Sequence, residues 1–281
     1  MTRPGRVAFV LGGGGVHGSC EVGMLKALTE VGVRPDLVVG TSIGAINGAL
    51  YATEPGAEPV RRLESLWRDL ASGEVFGRSL LAQATTLLRS RTHVHDRDPL
   101  RQLLDRELAD RRIEDLAVPF QCVAASIERA GEHWFTSGSL VDAVLASSAV
   151  PGLLPAVELD GEHYLDGGLV DSIPVGRAVR LGADTVYVLQ VGRVETPLVP
   201  PRSPSEVAFV AFEIARRHRF ATTMAELPEG VAVHVLPAGV DPQRLAGLRQ
   251  LRYRDLSDVG ARIDAAYEAT AAYLSRARST G

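Results

Sequence analysis

This sequence predicts an α/β fold with a mainly parallel central sheet, and three observations carry that reading. Apolar runs of strand length alternate with longer stretches of helical period. Two of the runs, DTVYVLQV and VAVHVLP, look like strands buried on both faces, as parallel strands under helices must be. Two others, ending at Leu11 and Val39, run straight into glycine-rich turns and then into a helix.

Taken in order, strands are expected near 6–12, 37–41, 119–127, 132–136, 155–159, 162–165, 184–191 and 231–236. Helical patterns lie near 16–31, 43–53, 57–71, 98–109, 139–149, 174–181, 204–226 and 258–277. The last carries Ile263, Tyr267, Thr270 and Leu274 at helical spacing, the mark of a core-facing stripe. IERAGEHWF and ELDGEHYL read as hairpins turning at Ala130-Gly131 and Asp160-Gly161. Residues 194–206 are proline-rich and read as an exposed loop, and 72–97 has weak periodicity with exposed-looking Leu80, Leu81, Leu87 and Leu88, which fits a lid or cap and a plain surface excursion nearly equally. No internal repeat or low-complexity segment interrupts the chain, and residues 1–281 read as one domain.

Composition narrows the function. The 281 residues are 46% apolar and 23% charged, an ordinary globular balance, and a net charge of -4 argues against the basic face of a nucleic-acid binder. Cys20 and Cys122 have no CxxC or Cys/His spacing, so no metal site is expected, and two reduced thiols fit a cytoplasmic protein. His93 and His95 lack a third ligand nearby. No apolar run approaches the ~20 residues that span a bilayer, and Val7 to Leu11 is too short for a signal peptide. Peripheral membrane contact stays open.

The chemistry concentrates in three stretches. The first is FVLGGGGVHGSCEVGMLKAL, where glycines at a strand-to-helix turn bring bare N–H groups toward a negative charge. As a dinucleotide site it would need an acid at the end of the second strand, but Asp36 stands before that strand, and no GK[ST] follows for a P-loop. The second is Gly40-Thr41-Ser42-Ile43-Gly44, a GxSxG between a strand and a helix. A serine on so sharp a turn has its Oγ pushed into the open, and the helix N-terminus lends positive potential. The same serine would otherwise be a helix cap.

A nucleophilic serine needs a base. His218 lies in a charged helix and His234 alternates with valines in a strand, so both read as surface or structural residues. Asp166 ends a short strand in YLDGGLVDSIPV, where Gly167 and Gly168 let the chain turn and leave its carboxylate uncluttered. At an ordinary pKa of about 3.9 it would be a weak base, and burial would raise it. DGG alone is also a common turn. With a glycine nest and an exposed serine delivered to one edge of the sheet, an oxyanion hole beside a nucleophile suits the pattern better than a standing phosphate.

GGGGVHG, GTSIGA and DGG in this order resemble the patatin-like phospholipase family of serine lipid acyl hydrolases, and the likeness covers about residues 6–276. The resemblance implies a three-layer α/β/α fold related to, but distinct from, the α/β-hydrolase fold. It implies Ser42 as nucleophile, Asp166 as proton acceptor, the amides of Gly13, Gly14 and Gly15 as oxyanion hole, and no metal or organic cofactor. His17, Gly18, Gly40, Gly44, Gly167 and Gly168 belong to the motifs that hold these groups. The implied substrates are acyl lipids or esters. One position departs: the family usually carries Arg or Lys where His17 stands, and an imidazole there either fills the same space and keeps a hydrogen bond or, lacking a fixed charge, gives weaker activity or activity that changes near neutral pH.

Overall fold

The computed structural model describes residues 5–71, 98–191, 197–239 and 258–279. The expected lid at 72–97, with its four leucines, His93 and His95, lies outside the described residues. The chain forms β1 (Val7–Leu11), α1 (Ser19–Glu30), β2 (Leu37–Thr41), α2 (Ile43–Thr53), α3 (Ala57–Ala71) and α4 (Asp98–Leu108). There follow β3 (Phe120–Ser126), β4 (Gly131–Phe135), α5 (Leu140–Ser147), β5 (Val157–Leu159) and β6 (Glu162–Asp166). The last elements are α6 (Val175–Arg180), β7 (Thr185–Leu189), α7 (Pro204–Ala225), β8 (Ala232–Val235) and α8 (Val259–Ser279).

One sheet joins the strands in the order β5-β6-β3-β2-β1-β7-β8, with β4 also on β3. β3, β2, β1, β7 and β8 run parallel, while β4, β5 and β6 are antiparallel additions. The core is split by the sheet because successive strand residues face opposite ways. Phe9, Leu11, Val38, Phe120, Cys122 and Leu189 meet α1 to α5 and α8 on one face. Ala8, Val10, Leu37, Val39, Val186 and Val188 meet α6 and the half-buried Phe220 and Met224 of α7 on the other. The result is helix, sheet, helix in three layers.

Helix α1 is buried on nearly all sides, and Gly23 is why it can lie so close to α8: a Cβ there would fall on the Ile263 carbonyl. The stripe on α8 faces inward as expected, with Ile263, Thr270 and Leu274 buried; Tyr267 is half-buried and donates its hydroxyl to Glu30 at 2.6 Å. The hairpin turns carry positive φ at Ala130 (48°) and Asp160 (51°). Asp36 ties the start of β2 to β1, accepting from the Val7 amide at 2.9 Å, so its carboxylate stays at the N-terminal end of the strands.

β8 departs from expectation. It is the edge strand, half-buried to exposed, rather than buried on both faces. Its alternation Val-His-Val is accounted for by ring packing: His234 stacks on Tyr187 with centroids 4.8 Å apart and shares a 3.0 Å hydrogen bond with the Tyr273 hydroxyl of α8.

Candidate active site

The register of β3 brings the site together. β4 pairs with Cys122 to Ser126, β2 with Phe120 to Val123 and β6 with Ala124 to Ser126. A strand has two edges, so β2 and β6 must share the one that β4 leaves free, and they meet there end to end. Thr41 of β2 lies opposite Val123 and Asp166 of β6 opposite Ala124. The residue after Thr41 therefore arrives beside Asp166. Gly167 makes the junction possible, since a Cβ there would collide with the Val123 carbonyl.

Ser42 sits at the junction with φ 56° and ψ -125°, a conformation that L side chains rarely adopt. Its neighbours hold it. The Ser42 N–H donates to Ser147 Oγ at 3.0 Å, and Ser148 Oγ donates to the Ser42 carbonyl at 3.2 Å. The same carbonyl opens α2 by accepting from the Ala45 amide at 2.9 Å. The glycines of GxSxG are required by close approach: a Cβ on Gly40 would lie 2.6 Å from the Gly44 carbonyl, and one on Gly44 would run into Leu11 and Gly12. Strand β1 and the serine turn are thereby pressed together.

Ser42 Oγ donates to Asp166 Oδ2 at 2.5 Å. The other carboxyl oxygen, Oδ1, accepts from the Gly168 amide at 2.7 Å, which fixes the carboxyl plane. Both residues are buried, at 8% and 5% exposure, so the pair is shielded yet reachable. Burial raises the Asp166 pKa to about 6, with the Ser42 hydroxyl and the Gly168 amide lowering it in part. A base titrating there is largely ionised at neutral pH and far stronger than a free aspartate. His218 is exposed on α7 and His234 belongs to the β8 edge, so neither histidine takes part.

The glycine loop lies alongside, and its amides are not equivalent. Gly12 N–H donates to the Leu189 carbonyl at 3.0 Å and Gly13 N–H to the Ser172 carbonyl at 2.9 Å. Gly13, expected to serve the oxyanion hole, therefore has its donor already engaged. Gly14 and Gly15 are half-buried, and their amides have no partner among the described residues. Gly15 has φ 56° and opens a single 3-10 turn, Gly15–Gly18, that leads into α1; His17 closes its first bond to the Gly14 carbonyl at 3.3 Å. Gly18 is packed against Ile43 and Trp67, leaving no room for a side chain.

Several supports carry no motif of their own. Ser147 and Ser148 look like ordinary end-of-helix residues. Thr41 Oγ1 donates to the Asp171 carbonyl at 2.8 Å, joining β2 to the segment after Asp166. Phe212 of α7 lies against Gly168, beside the base. An open cleft of about 470 Å³ runs between β4, β6 and the start of α5, lined by His133, Phe135 and Tyr164 among others; neither Ser42 nor Asp166 lines it. Among the described residues no cluster of His, Cys, Asp and Glu could hold a metal, and no helix is long and apolar enough to cross a membrane.

A family model described as patatin-like phospholipase matches residues 9–179. The chain is 34% identical over 197 residues to lysophospholipase nte1 of Aspergillus terreus, aligning 67% of this chain with 12% of that protein. It is 36% identical over 188 residues to patatin-like phospholipase domain-containing protein 6 of Homo sapiens, aligning 66% of this chain with 13% of that one. The crystal structure of VipD from Legionella pneumophila superposes with a TM-score of 0.45 at 14% identity, covering 98% of this chain and 67% of the other. The aligned part of the chain is thus a small fraction of either curated relative. With the family match running from β1 into α6, across the glycine loop, the serine turn and Asp166, this chain belongs to the patatin-like phospholipase family.

Proposed function

We propose that this chain hydrolyses acyl lipid esters, of the phospholipid or lysophospholipid class, through a covalent acyl-enzyme built on Ser42. The observation that carries the reading is the 2.5 Å hydrogen bond from Ser42 Oγ to a buried Asp166 whose other oxygen is held by Gly168. Similarity to a lysophospholipase supports the substrate class.

Ser42 Oγ attacks the ester carbonyl as its proton passes to Asp166 Oδ2. The carbonyl oxygen, now negative, is met by the Gly14 and Gly15 amides. When the tetrahedral species collapses, the carbon–oxygen bond to the alcohol breaks and Asp166 returns the proton to the departing oxygen. Water then attacks the acyl-serine, Asp166 takes its proton, and the fatty acid leaves as the proton returns to Ser42. One aspartate thus serves as base and acid in turn, a role suited to a pKa near 6.

The test is labelling with a fluorophosphonate, which reacts only with an activated serine, together with turnover of a nitrophenyl ester chain-length series, phospholipids and monoacylglycerols. Wild type should label and turn over; Ser42→Ala should do neither while keeping its fold. Failure of wild type to label, or labelling of Ser42→Ala at the same site, would overturn the assignment and favour a non-catalytic lipid- or partner-binding protein.

A further inference from the structure

Helix α1 carries a carboxyl that the reaction does not use. Glu21 is fully buried, in the first turn after the glycine loop, and so is Asn47 of α2. The Asn47 amide nitrogen donates to the Gly18 carbonyl at 3.0 Å and to Glu21 Oε2 at 2.7 Å. Its oxygen accepts from Trp67 Nε1 at 3.1 Å, which settles the orientation of the amide. The exit of the loop, Gly18, therefore rests on this buried pair of side chains, while its entry, Gly12, donates to the Leu189 carbonyl.

That arrangement is costly unless it does something. Glu21 Oε1 has no hydrogen-bond partner among the described residues, and an orphaned polar oxygen in a core disfavours the folded state. An apolar residue at the same place would pack without that penalty. The loop between the anchors needs outside support, because consecutive glycines have little conformational preference of their own. Gly12 and Gly13 are pinned to β7 and to Ser172, but the amides of Gly14 and Gly15 have no partner among the described residues.

We propose that Glu21 and Asn47 are positioning residues: by fixing Gly18 they set the curvature of the loop between it and the pinned Gly12 and Gly13, and so the aim of the Gly14 and Gly15 amides at the developing oxyanion. This rests on the hydrolase reading above. The pair touches no substrate and acts through the loop. Burial holds the Glu21 carboxyl well above its ordinary pKa. Glutamine keeps the acceptor for Asn47 and the chain length without charge, so it is the conservative replacement.

The experiment compares wild type with Glu21→Gln, Glu21→Met, Asn47→Leu and Trp67→Phe in the full chain, measuring kcat and KM for nitrophenyl butyrate, the fluorophosphonate labelling rate and the urea midpoint. Complete loss of an oxyanion donor costs about 100- to 1000-fold in kcat, so a misaimed loop should cost roughly 30-fold in Glu21→Met and Asn47→Leu, with KM within about twofold. Labelling should slow in parallel, and Glu21→Gln should stay within about threefold of wild type. Unchanged kcat in the two apolar variants, or a Glu21→Gln as slow as Glu21→Met, would overturn the proposal. If the apolar variants do not fold, Trp67→Phe decides. It frees the Asn47 amide at small steric cost, and a fall in kcat at constant KM supports the brace whereas an unchanged kcat rejects it. Ser42→Ala run alongside separates the two claims: if it stays active the hydrolase reading falls, whereas a dead Ser42→Ala beside an unimpaired brace variant removes only the brace.

Discussion

The acid limb of the pH–rate profile is the most direct consequence of the site. Asp166 must be ionised to accept the Ser42 proton, and its pKa is raised from 3.8 to about 6 by burial. kcat/KM for a neutral ester should therefore fall with unit slope below pH 6, leaving about a tenth of the activity at pH 5. Protonation of Asp166 does not produce such a loss by unfolding the protein, because its own linkage has the opposite sign. Between pH 3.8 and about 6 the folded state holds a proton on Asp166 that the unfolded chain has released. The contribution of Asp166 to stability must then rise as pH falls through that window and be lowest above it. Asp171, also buried and raised to about 6, adds in the same direction. Two pKa units correspond to about 3 kcal/mol for each group. Across pH 7 to pH 4.5 activity and these carboxyls' contribution to stability should move in opposite directions, an outcome readable from initial rates and urea midpoints in the same buffers. His17 lies on the glycine loop and an imidazole titrates in the same range, so His17→Gln is the control: the limb should persist in it. A limb centred near pH 4, a flat profile, or a limb abolished by His17→Gln would refute the argument.

Two further outcomes follow from contacts already described. Asp166→Asn keeps an acceptor for the Gly168 amide and a polar group for Ser42 but no base; it should lose most activity yet be more stable at pH 8 by up to about 3 kcal/mol, a gain that vanishes near pH 4, measured by urea denaturation. Gly23→Ala should cost roughly 3 kcal/mol in the same assay, because its methyl would force α1 from the backbone of α8, while kcat of the folded fraction stays near wild type.

What the sequence made legible was local. Strand and helix periods marked the elements the structure describes, and GxSxG read correctly as a strand-to-helix turn because steric need at Gly40 and Gly44 is written in the residues themselves. What it did not show was decided across long sequence separations. The abutment of β2 and β6 on one edge of β3 joins residues over a hundred positions apart, and no period encodes an edge. The engagement of Gly13 depends on a carbonyl at Ser172, so three glycines that look alike as letters divide into one spent donor and two with no partner among the described residues. VAVHVLP misled for a related reason: an apolar alternation on an edge strand can be satisfied by two aromatic rings as well as by a second helical layer. Glu21 was visible only as a lone acid among apolar residues, a signal that acquires meaning once its burial is known.

These features share a thermodynamic sign. Ser42 is held at a backbone conformation costing of the order of 1–3 kcal/mol, Asp166 is ionised in a buried place, and Glu21 is buried with an orphaned oxygen. Each disfavours the folded state, and each could be relieved by a common substitution: glycine at the turn, asparagine at the strand end, an aliphatic residue in the helix. Among the described residues the other positive-φ residues that are not glycine, Ala109, Ala130 and Asp160, lie in turns or at a helix end, where such backbone is ordinary. Ser42 instead sits among the most buried strands, with both its amide and its carbonyl tied to the end of α5. Strain of this kind persists only where the surroundings overdetermine it, and here the surroundings are the central parallel strands and the helices packed on them. The unfavourable terms gather around the junction of β1, β2 and β6, and that is where a chain selected for stability alone would have removed them first.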